Sequence, residues 1–282
     1  MADSEPGSLD KLLERLNLEP LDDDLLLGEP GAGSGRLFGG MVAAQSVMAA
    51  GRTVERGALH SLHAYFLRPG HHDAPLRFLV HRIRDGRTFT TRRVVAHQGG
   101  EAIFNLSASF AVPEEGISHQ DEPMPEAPPP DGLPDWEAER ARLLGSSPDW
   151  AESPVEVRVC DPDDPDGGPQ PPHKRIWFRP RGPLPEDPLI HTAVLVYASD
   201  RALLSTAARP HGLPWKRRRG ASLDHALWIH RPVRFDDWLL YAMESPVAHA
   251  ARGLCLGAIY GPDGARLASS AQEALIRVPR GD

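Results

Sequence analysis

The chain has 282 residues, 40% hydrophobic and 25% charged, the composition of a folded globular protein with room for one large domain or two ordinary ones. Lys and Arg number 31 against 39 Asp and Glu, a formal charge of −8, and an acidic field argues against a general nucleic-acid binder. No window approaches the roughly 18 apolar residues of a membrane span, and two cysteines, Cys160 and Cys255, are too few for a disulfide framework or a zinc knuckle.

The start, Met1-Ala2-Asp3-Ser4-Glu5, lacks a basic-then-apolar pattern, and Arg280-Gly281-Asp282 is not a peroxisomal tripeptide. With the sparse cysteines, these features make a reducing cytoplasm the expected location. Residues 8–16 place Leu9, Leu12, Leu13 and Leu16 at helical spacing. A glycine-rich turn ends in Phe38-Gly39-Gly40, and 41–50 reads as a strongly apolar helix of small residues. Strands are predicted at 59–67, 76–84 and 88–98. The turn Gln98-Gly99-Gly100 leads to a fourth at 102–112. One buried helix followed by an antiparallel meander is an α+β layout.

Proline accounts for 29 residues and is concentrated at 113–134 and 161–188, where neither a helix nor a central strand can continue. The first stretch predicts a linker, the second, loops around a short strand at 174–179. The second half then repeats the first, with a helix over 188–208 and strands at 222–231, 238–245, 251–260 and 265–278. The expected division is an N-terminal unit at 1–112, a linker at 113–150 and a C-terminal unit at 151–282.

The halves also align residue by residue. Ser61 to Pro69 lies over Asp224 to Pro232 with the Arg-Pro ends coincident, and Gly100 with 102–110 lies over Gly264 with 266–274. Internal duplication explains this, and a chance likeness of two meanders is the alternative. Two copies joined edge to edge form one sheet with two helices on it. Each helix N-terminus, with its free N–H groups and partial positive charge, then lies near the seam. Glycines at 39 and 40 let a ligand approach the backbone there, although an ordinary helix-entry turn has the same spacing.

Several stretches together carry a family resemblance: Phe38-Gly39-Gly40, His60-Ser61-Leu62-His63-Ala64-Tyr65-Phe66-Leu67-Arg68-Pro69-Gly70, Arg84-Asp85-Gly86, Pro130-Asp131-Gly132-Leu133-Pro134, Tyr197-Ala198-Ser199-Asp200, and Asp224 to Pro232. With them the chain resembles the acyl-CoA thioesterase II family, whose fold is the double hotdog: two antiparallel sheets, each around a central helix, duplicated in one chain. The resemblance runs from about Leu9 to Val278. It implies hydrolysis of acyl-CoA to fatty acid and coenzyme A, no metal or organic cofactor, and a homo-oligomer.

The family's catalytic Asp, Thr or Ser, and Gln fall on Asp200, Ser222 and Gln272. Many relatives have Thr where this chain has Ser222, which keeps the hydroxyl but loses the methyl that restricts χ1. In that trio Asp200 is the one group able to take a proton from water, and burial would strengthen it as a base. Ser222 and Gln272 orient the water without competing for its charge. Backbone N–H groups around Gly40 and Met41 are the candidate oxyanion donors, and Gly39, Gly40 and Met41 are candidate substrate contacts.

His60 is a candidate substrate contact or rival base. Three residues apart on a strand, His60 and His63 are expected to face opposite sides, which excludes a two-histidine metal face. Lys216-Arg217-Arg218-Arg219, beside Trp215, is a candidate clamp for coenzyme A phosphates or a solvated loop. No Gly-x-Ser-x-Gly elbow occurs, so a serine nucleophile is not expected. The rival functions are a hydratase or dehydratase of the same fold, with His60 or His63 as base, and a non-catalytic acyl-CoA binding module.

Overall fold

In the computed structural model, which describes residues 7–145, 152–164, 166–213 and 219–277, the chain begins with α1 (Ser8–Leu16). Its Leu9, Leu12 and Leu16 are buried, as their spacing predicts. A small hairpin, β1 (Glu19–Asp22) and β2 (Leu25–Gly28), leads to α2 (Gly39–Gly51), buried at every position from Gly40 to Ala50. A helix without a polar face needs cover on all sides. The strands β3 (Ala58–Phe66), β4 (Leu76–Asp85), β5 (Phe89–Gln98) and β6 (Glu101–Ala111) supply much of it, turning between β5 and β6 on Gly99 and Gly100 at positive φ. The expected four-strand meander is corrected, since β3 pairs with β6 rather than β4 and only β4, β5 and β6 follow one another in the sheet.

The linker region contains α3 (Trp136–Leu144), capped by Asp135 and ended by Gly145. After it come β7 (Val155–Val159), β8 (His173–Pro180) and the second central helix, α4 (Pro188–Ser199), buried from His191 onward. The short α5 (Leu203–Ala208) precedes β9 (Arg219–Ser222), β10 (Asp224–Ile229), β11 (Leu239–His249), β12 (Arg252–Tyr260) and β13 (Arg266–Arg277).

These strands form one sheet in the order β1-β2-β4-β5-β6-β3-β10-β13-β12-β11-β8-β7, with β9 also on β13. The two halves meet where β3 and β10 pair antiparallel, Tyr65 opposite Asp224, His63 opposite Ala226 and Ser61 opposite Trp228. The Ser61–Asp224 alignment exchanges the Tyr65–Asp224 and Ser61–Trp228 pairs and carries His63–Ala226 onto itself, at the centre of the seam. The register therefore has the two-fold character that an internal duplication requires. Among the described residues no helix is long and apolar enough to cross a membrane.

Four local predictions are corrected. The helix expected over 188–208 breaks after Ser199, and Ala202 takes a left-handed conformation with φ 69° before α5 begins. The expected strand 222–231 is two strands, parted at Leu223. The stretch 113–150, expected as linker alone, includes α3, because no proline lies between Pro134 and Pro148 and Asp135 can cap. His60 and His63 lie on the same sheet face, not opposite ones. A bulge between Leu59 and Ser61 inserts a residue, so Leu59 and Leu62 both point inward. Strands β1, β2 and β7 were not predicted; four or five residues are too few for an alternating pattern to register.

The outer faces of the halves differ. Linker residues Met124, Ala127 and Leu133 cover Trp177, Leu240, Ala258 and Tyr260 in the C-terminal half, and Pro128 accepts a hydrogen bond from Trp177 Nε1 at 2.8 Å. The N-terminal half leaves Tyr65, Ile83 and Phe89 exposed.

Candidate active site

The break after α4 positions the first site residue. Asp200 is the C-cap of that helix, so its side chain leaves the helix axis where the chain turns. β9 ends at Ser222, and β13 presents Gln272 on its buried phase with Ser270 and Ala274. β9 pairs with β13 with Ser222 opposite Ala274, so hydroxyl and amide start from neighbouring strands.

The three side chains meet. Ser222 Oγ donates to Asp200 Oδ1 at 3.2 Å, and Gln272 Nε2 donates to Ser222 Oγ at 2.9 Å. The N-terminus of α2 closes the same space. A Cβ placed on Gly39 would lie 2.9 Å from Asp200 Oδ2 and 2.5 Å from Phe66 Cε1, and one on Gly40 would lie 2.4 Å from the Tyr197 carbonyl. Glycine at both positions lets one half's helix entry touch the other half's helix exit.

Burial pushes the Asp200 carboxyl up to about 6; the Ser222 hydroxyl, the Gly40 N–H, the Arg201 charge and Gln272 oppose it without overcoming it. Arg201 lies over the Phe38 and Tyr197 rings and donates to the Tyr197 hydroxyl at 3.2 Å. Its charge is thereby held beside the carboxylate.

The candidate oxyanion donors are already engaged. Gly40 N–H faces Asp200, and Met41 N–H donates to the Phe38 carbonyl at 3.1 Å. His60 is not with the trio. It bonds Ser109 Oγ at 2.8 Å and meets Phe89 edge to face. It stands six residues along β3 from Phe66, about 20 Å of strand. Trp215 and residues 216–218 of the basic run lie outside the described residues, and Arg219 is exposed opposite Arg277.

One neighbour of the trio was not singled out as functional in the sequence. His225 is fully buried beside Gln272, with Nδ1 2.7 Å from Gln272 Oε1 and Nε2 2.9 Å from Ser199 Oγ. Burial pushes its pKa down to about 4, the Gln272 bond opposing. The available signal was its strand phase: His225 shares the inward side of β10 with Leu227, where a polar residue needs partners. Tyr241 donates to the Ser199 carbonyl at 3.1 Å and bonds Ser270 Oγ at 2.7 Å, bracing the end of α4.

Chemically the arrangement is a buried carboxylate of raised basicity beside a hydroxyl and an amide, under a helix N-terminus. Such a set can hold a water and remove its proton. Among the described residues no three His, Cys, Asp or Glu gather as metal ligands.

Two family models match the sequence: acyl-CoA thioesterase over residues 147–275 and acyl-CoA thioesterase N-terminal domain over 29–111. The chain is 39% identical to acyl-coenzyme A thioesterase 8 of Mus musculus, covering 93% of this chain and 88% of that protein. It is 37% identical to acyl-CoA thioesterase 2 of Haemophilus influenzae, covering 95% and 98%. The crystal structure of acyl-CoA thioesterase II TesB2 from Mycobacterium marinum superposes with a TM-score of 0.80 at 42% identity, over 96% of this chain and 99% of that one. The fold is accordingly the double hotdog.

Proposed function

Because the chain belongs to the acyl-CoA thioesterase family, we propose that it hydrolyses acyl-CoA thioesters with a water activated by Asp200, Ser222 and Gln272. The observation that carries this reading is the direct hydrogen-bonded contact of those three side chains, drawn from a helix end and two strands, beneath the α2 N-terminus.

Asp200 accepts the proton as the water oxygen attacks the thioester carbonyl. Its pKa of about 6 leaves it ionised at neutral pH, yet a stronger base than an ordinary carboxylate. Ser222 and Gln272 fix the lone pair of the water toward the carbon. The tetrahedral intermediate collapses with cleavage of the C–S bond, and the proton held by Asp200 passes to the departing sulfur. The partial positive charge of the α2 N-terminus favours the oxyanion. Gly39 and Gly40 belong to the substrate-facing wall through their missing Cβ atoms, and the domain units 1–112 and 151–282 supply one wall each.

The hydratase reading required His60 or His63 as base. Both sit on the sheet face away from α2 and α4, so nothing favours it. The test is release of free thiol from a panel of short-, medium- and long-chain acyl-CoAs. Asp200→Asn is expected to lower kcat by about 10²–10⁴-fold with little change in KM. Unchanged kcat in that variant overturns the assignment of the base.

A further inference from the structure

The trio ends at Gln272, but its hydrogen-bond path does not. Gln272 Oε1 can only accept, so the contact of 2.7 Å with His225 requires a proton on Nδ1. With Nδ1 protonated in a neutral ring, Nε2 can only accept, and the group facing it at 2.9 Å is the Ser199 hydroxyl. Ser199 has one proton, which its contact with the Val196 carbonyl at 3.0 Å competes for.

Every donor on the path then points the same way. From the imidazole onward, His225 Nδ1–H donates to the Gln272 carbonyl, Gln272 Nε2 to Ser222, and Ser222 to Asp200. Turning the Gln272 amide over would set its carbonyl against Ser222. The serine proton would then go to Gln272, and Asp200 would lose its hydroxyl partner. An amide is symmetric in shape, so packing cannot choose between the two arrangements; a donor at Oε1 can.

We infer that His225 is a positioning residue: its Nδ1–H holds the Gln272 amide the one way round that aligns the trio's hydrogen bonds toward Asp200. This rests on the proposed role of the trio. It assigns His225 no contact with substrate.

Substitution separates the two ring nitrogens. In His225→Asn the side-chain NH2 takes the place of Nδ1–H, whereas in His225→Gln it reaches the Nε2 position instead. His225→Gln is expected to lower kcat by about a hundredfold with KM within about threefold, and His225→Asn to recover most of that loss. In a Gln272→Ala background, replacing His225 is expected to cost no further activity, because the amide it orients is gone.

Equal loss in the Asn and Gln variants, or losses that add fully to that of Gln272→Ala, overturn the inference while the trio stands. Full activity in Gln272→Ala instead removes the trio reading and this inference with it. The wild-type protein offers a test independent of any variant's folding: ¹⁵N NMR of labelled histidine is expected to show His225 with Nδ1 protonated. A proton on Nε2 alone overturns it.

Discussion

The seam between the halves has two ends related by the duplication, and the proposed site lies at one of them. At one end Asp200 caps α4 and faces the N-terminus of α2, which begins with two glycines and no side-chain cap. At the other, Arg52 caps α2 and is drawn toward Asp187, the N-cap of α4. The strand alignment extends the contrast. Ser222, His225 and Gln272 correspond to Leu59, Leu62 and Ala108, and the cross-strand pairing confirms it: Leu62 sits opposite Ala108, and Ser222 and Leu59 stand opposite Ala274 and Phe110. The second end is also plugged. Arg52 reaches the Leu18 carbonyl and donates to Asn17 Oδ1 at 2.7 Å, and Leu189 fills the space above Gly51. Duplication thus supplied two equivalent geometries. Polar side chains and an open helix entry occupy the end proposed as the active site, while apolar side chains and an N-terminal segment fill the other.

Exchanging function across the pseudo-equivalent positions tests the contrast. Ser222→Ala is expected to lower kcat about a hundredfold without a large loss of stability, and Ser222→Thr to retain activity. Leu59→Ala at the corresponding site is expected to destabilise by about 2–5 kcal/mol while folded protein keeps its kcat. Chemical denaturation and thiol release measure both. If Leu59→Ala lowers kcat as Ser222→Ala does, the two ends are not functionally distinct.

The glycines sharpen the same point. Gly39→Ala drives a methyl toward Asp200 Oδ2 and Phe66, and kcat is expected to fall about tenfold to a hundredfold. Gly51→Ala meets the flexible Leu189 side chain, so a loss of about 1–3 kcal/mol in stability is expected with activity kept.

Asp200 itself links stability to pH. Its folded pKa is raised from 3.8 to about 6, so the folded state holds the proton more tightly than the unfolded state does. Stability therefore falls as pH rises from about 4 to about 6, and the penalty of about 3 kcal/mol is complete above that. Asp200→Asn is expected to unfold at higher urea than the parent at pH 7, with the advantage gone below pH 4. Activity of the parent runs the opposite way, with kcat/KM dropping below pH 6 as the base is protonated. An Asn variant no more stable at pH 7 contradicts the buried charge.

The smallest effect belongs to the turn that aims Asp200. Ala202 at φ 69° has no counterpart among the residues described at the end of α2, and Ala202→Gly is expected to gain about 1 kcal/mol in thermal unfolding.

Much of the architecture was legible in the chain. The two apolar helices and the long strands followed from hydrophobic periodicity, and the Arg-Pro alignment matched the register found at the β3–β10 seam, whereas the place of β3 beside β6 did not follow from the order along the chain. Composition and periodicity work for such elements because burial acts on local pattern. They failed at the break after Ser199, where an apolar run conceals a change of direction, and at the bulge near His60, where one inserted residue reverses the facing of everything after it.

Asp200, Ser222 and Gln272 were named through family motifs alone, since each by itself reads as a helix-end carboxylate, a strand-start hydroxyl or a strand amide. His225 had no assigned role at all. Sequence determined which faces are apolar and that a buried helix followed by strands occurs twice along the chain. Tertiary structure decided which polar groups share one desolvated space, because a hydrogen-bond path through five side chains from helix α4 and strands β9, β10 and β13 depends on ångström-scale distances that no spacing along the chain encodes.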